Sequence, residues 1–148
     1  MAKASVKGGA RSRSFLSQAK AKAARTPPRV AVGFFKTARY NDGTLVAAVA
    51  AKNEFGYGNV PERPFFRIAI GKARHGLRRI ARSQARSGFI PSKGLEMLGM
   101  HMQAAVQTSI VTLDTPPNNP QTIERKGSSN PLIDSGKMKN SVTYRIER

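Results

Sequence analysis

The sequence predicts an α+β fold: a small antiparallel sheet, formed by a hairpin plus a C-terminal strand, packed against two main helices and preceded by a basic, extended N-terminal arm. Three observations carry this. Val30 to Phe35 reads Val-Ala-Val-Gly-Phe-Phe, a β-branched and aromatic run that follows Pro27-Pro28. Two later stretches repeat apolar residues at helical spacing. Ser141 to Ile146 alternates Val142, Tyr144 and Ile146 with Thr143 and Arg145, the period of a half-buried strand.

Residues 1–29 mix Gly, Ala, Ser, Lys and Arg. Phe15, Leu16, Ala19 and Ala23 recur at roughly helical spacing, so Phe15 to Arg25 predicts a short basic helix. Residues 1–14 read as an arm that orders only against a partner. Residues 30–148 make up the remaining unit, a single domain. Within it, Asn41-Asp42-Gly43 signals a turn, because these residues tolerate left-handed backbone. With Thr44 to Ala51 as a second strand, residues 30–51 predict a hairpin whose turn region, Lys36 to Gly43, projects from the body. The Ala-rich run Ala47 to Ala51 is also a good helix former, and a helix from there to Phe55 is the alternative.

Gly56, Gly58, Pro61 and Pro64 break the chain into a loop, and Pro64 suits the start of a helix over Phe65–Arg86. Phe66, Ile70, Ala73, Leu77 and Ile80 form its predicted apolar face. Arg74, Arg78, Arg82 and Arg86 step by four along another side. Gly71 and Gly76 each weaken this helix by about 1 kcal/mol relative to Ala, so packing must hold it. Ser87-Gly88 ends it. A second helix runs from Ser92 or Lys93 to about Val111, with Leu95, Leu98, Met102, Ala105, Val106, Ser109 and Ile110 on one face. Thr115 to Pro120 continues no helix. A short helical turn is expected around Thr122 to Lys126, and Asp134-Ser135-Gly136 is placed to cap another through Lys139.

Composition narrows the chemistry. With no cysteine, disulfides, thiolate metal sites and thiol catalysis are excluded. The longest apolar run, Leu45 to Ala51, is too short to cross a bilayer, and no membrane partner is expected. Ser17, Gln18, Lys20 and Lys22 interrupt the apolar stretch near the basic N-terminus, which argues against a secretory signal. Synthesis in a cytoplasm-like compartment is expected. Twenty-six basic residues against eight acids give a net charge of +18, which attracts polyanions or acidic protein surfaces. The charge is unevenly placed: residues 1–41 hold ten Lys or Arg and no acid, and Arg63 to Arg86 holds eight more. Arg11, Arg13, Arg25, Arg74, Arg78, Arg82 and Arg86 are therefore the candidate contacts to a polyanion or an acidic partner.

No enzyme is expected. His75 and His101 lie on different predicted helices without a companion at ligand spacing, and the acids are scattered with no metal-binding pattern. Gly56-Tyr57-Gly58 lacks the strand and helix that would make it a phosphate cradle. Catalytic residues, metals and cofactors are all expected to be absent. A nucleic-acid reading has the arginine ladder in its favour. Against it, aromatics do not interleave with the basic residues, and Ser87 to Lys93 is longer than a helix-turn-helix turn.

Two segments carry a resemblance. The first is Asn53-Glu54-Phe55-Gly56 followed by Pro61-Glu62-Arg63-Pro64-Phe65-Phe66. The second is Pro131-Leu132-Ile133-Asp134-Ser135-Gly136-Lys137-Met138, with Ser141-Val142-Thr143-Tyr144 behind it. In combination and order they resemble the small neck and tail-completion proteins of long-tailed bacteriophages, often grouped with minor tail or virion-morphogenesis proteins. The resemblance covers roughly residues 30–148. It implies a structural virion protein forming a ring of six or twelve copies at the head–tail junction. Its partners would be copies of itself, connector or stopper proteins, and tail-terminator or tail-tube proteins, with DNA passing through the channel. The chain departs from many relatives in having a Gly/Ser/Arg arm where they carry a longer amphipathic helix. Glu54, Phe55, Gly56, Arg63, Pro64, Phe65, Phe66, Leu132, Ile133, Asp134 and Gly136 are the candidates for fold-determining or ring-contact roles. Read from their chemistry, these are mainly fold residues: Phe55 offers a ring to bury, Phe65 and Phe66 anchor a helix, and Leu132 and Ile133 bury apolar bulk.

Overall fold

The computed structural model describes residues 28–87 and 91–147. Residues 1–27 of the predicted arm, with the helix Phe15–Arg25 and the candidates Arg11, Arg13 and Arg25, lie outside them. The architecture is α+β, with two antiparallel strands packed on helices. β1 (Arg29–Phe34) pairs with β2 (Val142–Glu147) in the register Val30 to Ile146, Val32 to Tyr144 and Phe34 to Val142. Those six side chains share the inner face, because residues opposite each other in an antiparallel pair point the same way. The outer face carries Arg29, whose Nε donates to Glu147 Oε2 at 2.8 Å, and Arg145, whose guanidinium lies 3.9 Å from the centre of the Phe35 ring. The alternation read at the C-terminus is thus the in–out pattern of the sheet.

The predicted hairpin is the main correction. Thr44–Ala51 does not pair with β1; the alternative helix forms instead, as α1 (Val46–Phe55). Val46 and Ala50, four residues apart, are both buried, so a helical stripe outcompetes the strand reading. Nor does Lys36 to Gly43 project. It folds back through a Tyr40 N–H to Thr44 carbonyl bond of 2.8 Å, and Ala38 and Tyr40 pack against the core. Asp42 closes the turn by accepting from the Thr44 amide at 2.9 Å and its hydroxyl at 2.8 Å. These bonds favour the Asp42 carboxylate, and its pKa falls below the usual value.

α2 (Phe65–Arg86) and α3 (Pro91–Thr112) are the two long helices, and they fall where the periodicity predicts. They run antiparallel, since Phe65 meets Ser109 at one end while Gln84 Nε2 reaches Met97 Sδ, 3.3 Å away, at the other. α3 buries Met102, Val106, Ser109 and Ile110 as expected. α2 differs. Its buried residues are Phe65, Ala69 and Ala73, whereas Ile70 is 48% exposed and Phe66 and Leu77 are only partly covered. Small residues face α3 because the helices approach closely. A Cβ on Gly76 would lie 2.2 Å from His101 Nε2 on α3. Gly99 of α3 likewise makes room for the Tyr144 ring of β2.

Two short helices complete the structure, α4 (Pro120–Lys126) and α5 (Lys137–Asn140). Asn119 caps α4 by accepting from the Gln121 amide at 3.0 Å. At α5 the segment Asp134-Ser135-Gly136 precedes the helix as expected: Gly136 is the N-cap residue, in left-handed backbone, and Ser135 Oγ accepts from the Lys137 amide at 3.4 Å. Leu132, Met138 and Val142 bring this C-terminal region into the core alongside α1, α2 and α3.

The two glycines of α2 are opposite cases. Gly71 has open space around it, so Gly71→Ala is expected to stabilise the fold by about 1 kcal/mol. Gly76→Ala collides with His101 and is expected to lose about 1–2 kcal/mol net of the propensity gain. Urea unfolding of the two variants checks this; equal gains at both positions would contradict the close approach of α2 to α3.

Candidate functional site

The first motif forms a polar hub between α1 and α2. α2 follows Pro64, which supplies no side-chain cap, so its first amides need an acceptor from elsewhere. Glu54, buried at the end of α1, provides it. Its Oε2 accepts from the Phe66 amide at 2.8 Å and its Oε1 from the Arg67 amide at 3.2 Å. A carboxylate at this helix end also meets the positive pole of the macrodipole. Arg67 closes the arrangement: its Nε reaches Glu54 Oε1 at 2.9 Å, and its guanidinium contacts the Glu54 carbonyl and Glu62. These hydrogen bonds, to Glu54 first and Glu62 second, raise the Arg67 pKa above its ordinary value.

Arg63 is the second half of the hub. It is 4% exposed, yet among the described residues no carboxylate pairs with it. Its Nε donates to the Pro116 carbonyl at 2.9 Å, and its remaining nitrogens reach the Pro117 carbonyl at 3.1 Å, Asn118 Oδ1 at 3.2 Å and Asn53 Oδ1 at 3.3 Å. Burial lowers its pKa, but the planar fork satisfies several acceptors at once and stays charged. Its backbone amide also bonds to the Asn53 carbonyl at 2.6 Å. Phe65, next but one, is buried edge-on to Phe34 and Phe66, and its carbonyl accepts from the buried Ser109 hydroxyl at 2.7 Å.

The second motif joins this hub through asparagines. Asn118 Nδ2 donates to the Asn130 carbonyl at 3.3 Å. The Asn130 side chain then accepts from the Leu132 and Ile133 amides at 2.9 and 3.0 Å and donates to the Val111 carbonyl at 2.8 Å. Lys126 Nζ caps the Asn130 and Pro131 carbonyls at 3.2 and 3.4 Å; burial lowers its pKa, with Asp134 opposing that shift. Burial likewise raises the Tyr40 pKa, followed by the charges of Asp134 and Asp42. Asp134 itself is exposed, on the rim of a polar cleft also lined by Tyr40, Arg63 and Lys126.

Among the sequence candidates, Glu54, Arg63, Phe65 and Leu132 are fold residues, with Pro64, Phe66 and Ile133 partly buried beside them. Gly56 ends α1 in left-handed backbone, where a Cβ would crowd the Glu62 amide at 3.2 Å. Phe55 is a correction: it is not a buried ring but 68% exposed, 5.6 Å from the Arg67 guanidinium. Tyr57, equally exposed, sits under Lys52 Nζ at 5.3 Å. Sequence alone does not mark Asn118 or Asn130, since an asparagine in a Pro/Asn-rich loop reads as an ordinary turn residue, nor Lys126, one cation among many.

The basic candidates assemble elsewhere. Arg78, Arg82 and Arg86 share an open groove with His75, Arg79 and Ser83 along the second half of α2, and Arg74 is exposed nearby on the same helix. Among the described residues none of these arginines has a carboxylate within salt-bridge distance. His101 is not part of this surface, being packed against Gly76. Among the described residues, no cluster of three His, Cys, Asp or Glu side chains could hold a metal ion, and no helix is long and apolar enough to cross a membrane. Comparisons with models of known families, with curated proteins and with solved structures find no significant match to this chain.

The hub makes distinct demands on its charged residues. Glu54→Ala leaves two helix-end amides without an acceptor and is expected to destabilise by about 2 kcal/mol. Arg63→Lys keeps the charge but loses the fork, with an expected loss of about 2 kcal/mol. Arg67→Ala, at a half-exposed position, should cost clearly less than either. Urea titrations of the three variants rank them; an Arg63→Lys protein as stable as the parent would contradict the role given to the guanidinium.

Proposed function

We propose that this chain is a non-enzymatic structural protein of a tailed bacteriophage, a subunit of the ring at the head–tail junction that joins connector to tail around the DNA channel. The reading starts from the two motif segments and their resemblance to neck and tail-completion proteins. The observation that carries it furthest is the hydrogen-bonded path from Arg63 through Asn118 and Asn130 to the Leu132 amide. Strings that are distant in sequence serve one architectural unit, as expected of a shared fold signature rather than two chance matches. The motif side chains are largely consumed in holding the body together, which suits a subunit whose work is contact. Phe55, Tyr57, Ile70, Met100 and Val111 remain as large exposed apolar side chains for neighbours in a ring or for adjoining layers.

A second reading, a basic nucleic-acid-binding protein, is favoured by the arginine groove on α2 and the net charge of +18. Disrupting the gene in the phage genome that carries it separates the two. A head–tail junction subunit should leave DNA-filled heads and unattached tails in electron micrographs, and complementation should restore joined particles. Normally joined particles would overturn the proposal. If, in addition, duplex DNA bound the purified protein with a log–log salt slope of about −4 or steeper, the second reading would replace it.

A further inference from the structure

Beside the arginine groove lies a second surface of different character. Val30 and Val32 of β1, Phe66, Ile70, Leu77, Arg78 and Ala81 of α2, and Leu98 and Met102 of α3 line an open apolar groove. No residue of β2 contributes to it, so it opens at the β1 edge that β2 leaves free. The only charged residue in its lining is Arg78, which also lines the arginine groove and makes the two surfaces continuous. Among the described residues, no strand occupies that edge of β1.

We infer that this composite face binds an extended acidic segment of a different protein, added alongside β1. The strand edge, unoccupied among the described residues, offers backbone groups to such a segment, and alternate side chains of an added strand point to one face. Its apolar side chains would enter the groove, while Asp or Glu residues following them in the segment would lie along the continuous arginine groove and meet Arg78, Arg82 and their neighbours. Nucleic acid is the poorer fit, since phosphates satisfy the arginines but leave Ile70, 48% exposed, and the rest of the apolar lining in water. A second copy fits the arginine part of the face poorly. The chain has eight acids, no two of them closer than eight positions, so no segment of it can present the dense acidic pattern. The proposal rests on this surface alone and does not depend on the head–tail reading.

The test uses the full chain and a fluorescein-labelled twelve-residue peptide, six residues alternating Val or Leu with Thr joined to six Glu in either order, followed by anisotropy. A control peptide of the same composition has its Glu residues interspersed among the others. One order of the block peptide should saturate at one per chain and bind at least tenfold tighter than the interspersed control. Ile70→Asn and the double change Arg78→Glu/Arg82→Glu, all at surface positions, should each weaken it at least tenfold while circular dichroism stays unchanged. Equal binding of the block and interspersed peptides, or indifference to Ile70→Asn, would overturn the inference. So would duplex DNA binding that vanishes with Arg78→Glu/Arg82→Glu while the peptide fails to bind, which gives the face to nucleic acid. A tenfold gain in peptide affinity on Phe15→Ser/Leu16→Ser would also overturn it, by assigning the groove to the chain's own N-terminal segment.

Discussion

Glu54 reaches from the end of α1 to the start of α2, and much of the molecule is arranged around that reach. A helix that begins after proline has free amides and no local side chain to receive them. Supplying the acceptor from another helix converts a local requirement into a tertiary one. The start of α2 is then fixed only when α1 is docked, and α1 docks only when Val46 and Ala50 are in the core. Arg63, one residue before Pro64, extends the same constraint to the loop after α3 by holding the carbonyls of Pro116 and Pro117. From there the asparagine path leads to Leu132. Three regions distant in sequence are thereby held in one relation by hydrogen bonds, with the apolar core beneath them.

The elements bounded by strong punctuation were readable from sequence. Pro64 and Ser87 delimit α2, and the terminal alternation gave β2 and the orientation of its side chains. The hairpin does not form because Thr44 to Ala51 satisfies strand and helix patterns alike, and the decision lies in Val46 and Ala50 meeting the core four residues apart. The buried side of α2 departs from the pattern for a related reason. Size alone points to Ile70 as core, whereas the close approach to α3 selects Ala69 and Gly76 beside the expected Ala73. In the candidate site, Glu54 and Arg63 stood out through their motif, but the part each plays could not be read without knowing that α1 ends beside the start of α2. Phe55 shows the opposite limit: neighbouring motif residues are buried, and hydrophobicity alone did not separate it from them.

The electrostatics of the chain divide in the same way. The acids near the hub, Glu54 and Glu62, are engaged by Arg67, and Glu147 by Arg29. The arginines farther along α2 have no such partner among the described residues, and they lie on the helix half that contributes least to the core. Stability is concentrated at one end of α2 and uncompensated charge at the other. Such a layout lets surface charge serve recognition without loading the packing that holds the body together.

Pairing β1 with β2 joins strands at opposite ends of the described chain, with Arg29 and Glu147 separated by 118 positions. During synthesis β2 leaves the ribosome after every other described element. Until then the inner valines of β1 lack the strand that faces them in the folded chain. Closing so long a loop requires the helices to collapse first, which makes the sheet a late event in folding and a contact of high sequence separation. The strand pair therefore acts as a clasp: it fastens a helical body that has already assembled, and its integrity depends on segments from both ends of the described chain.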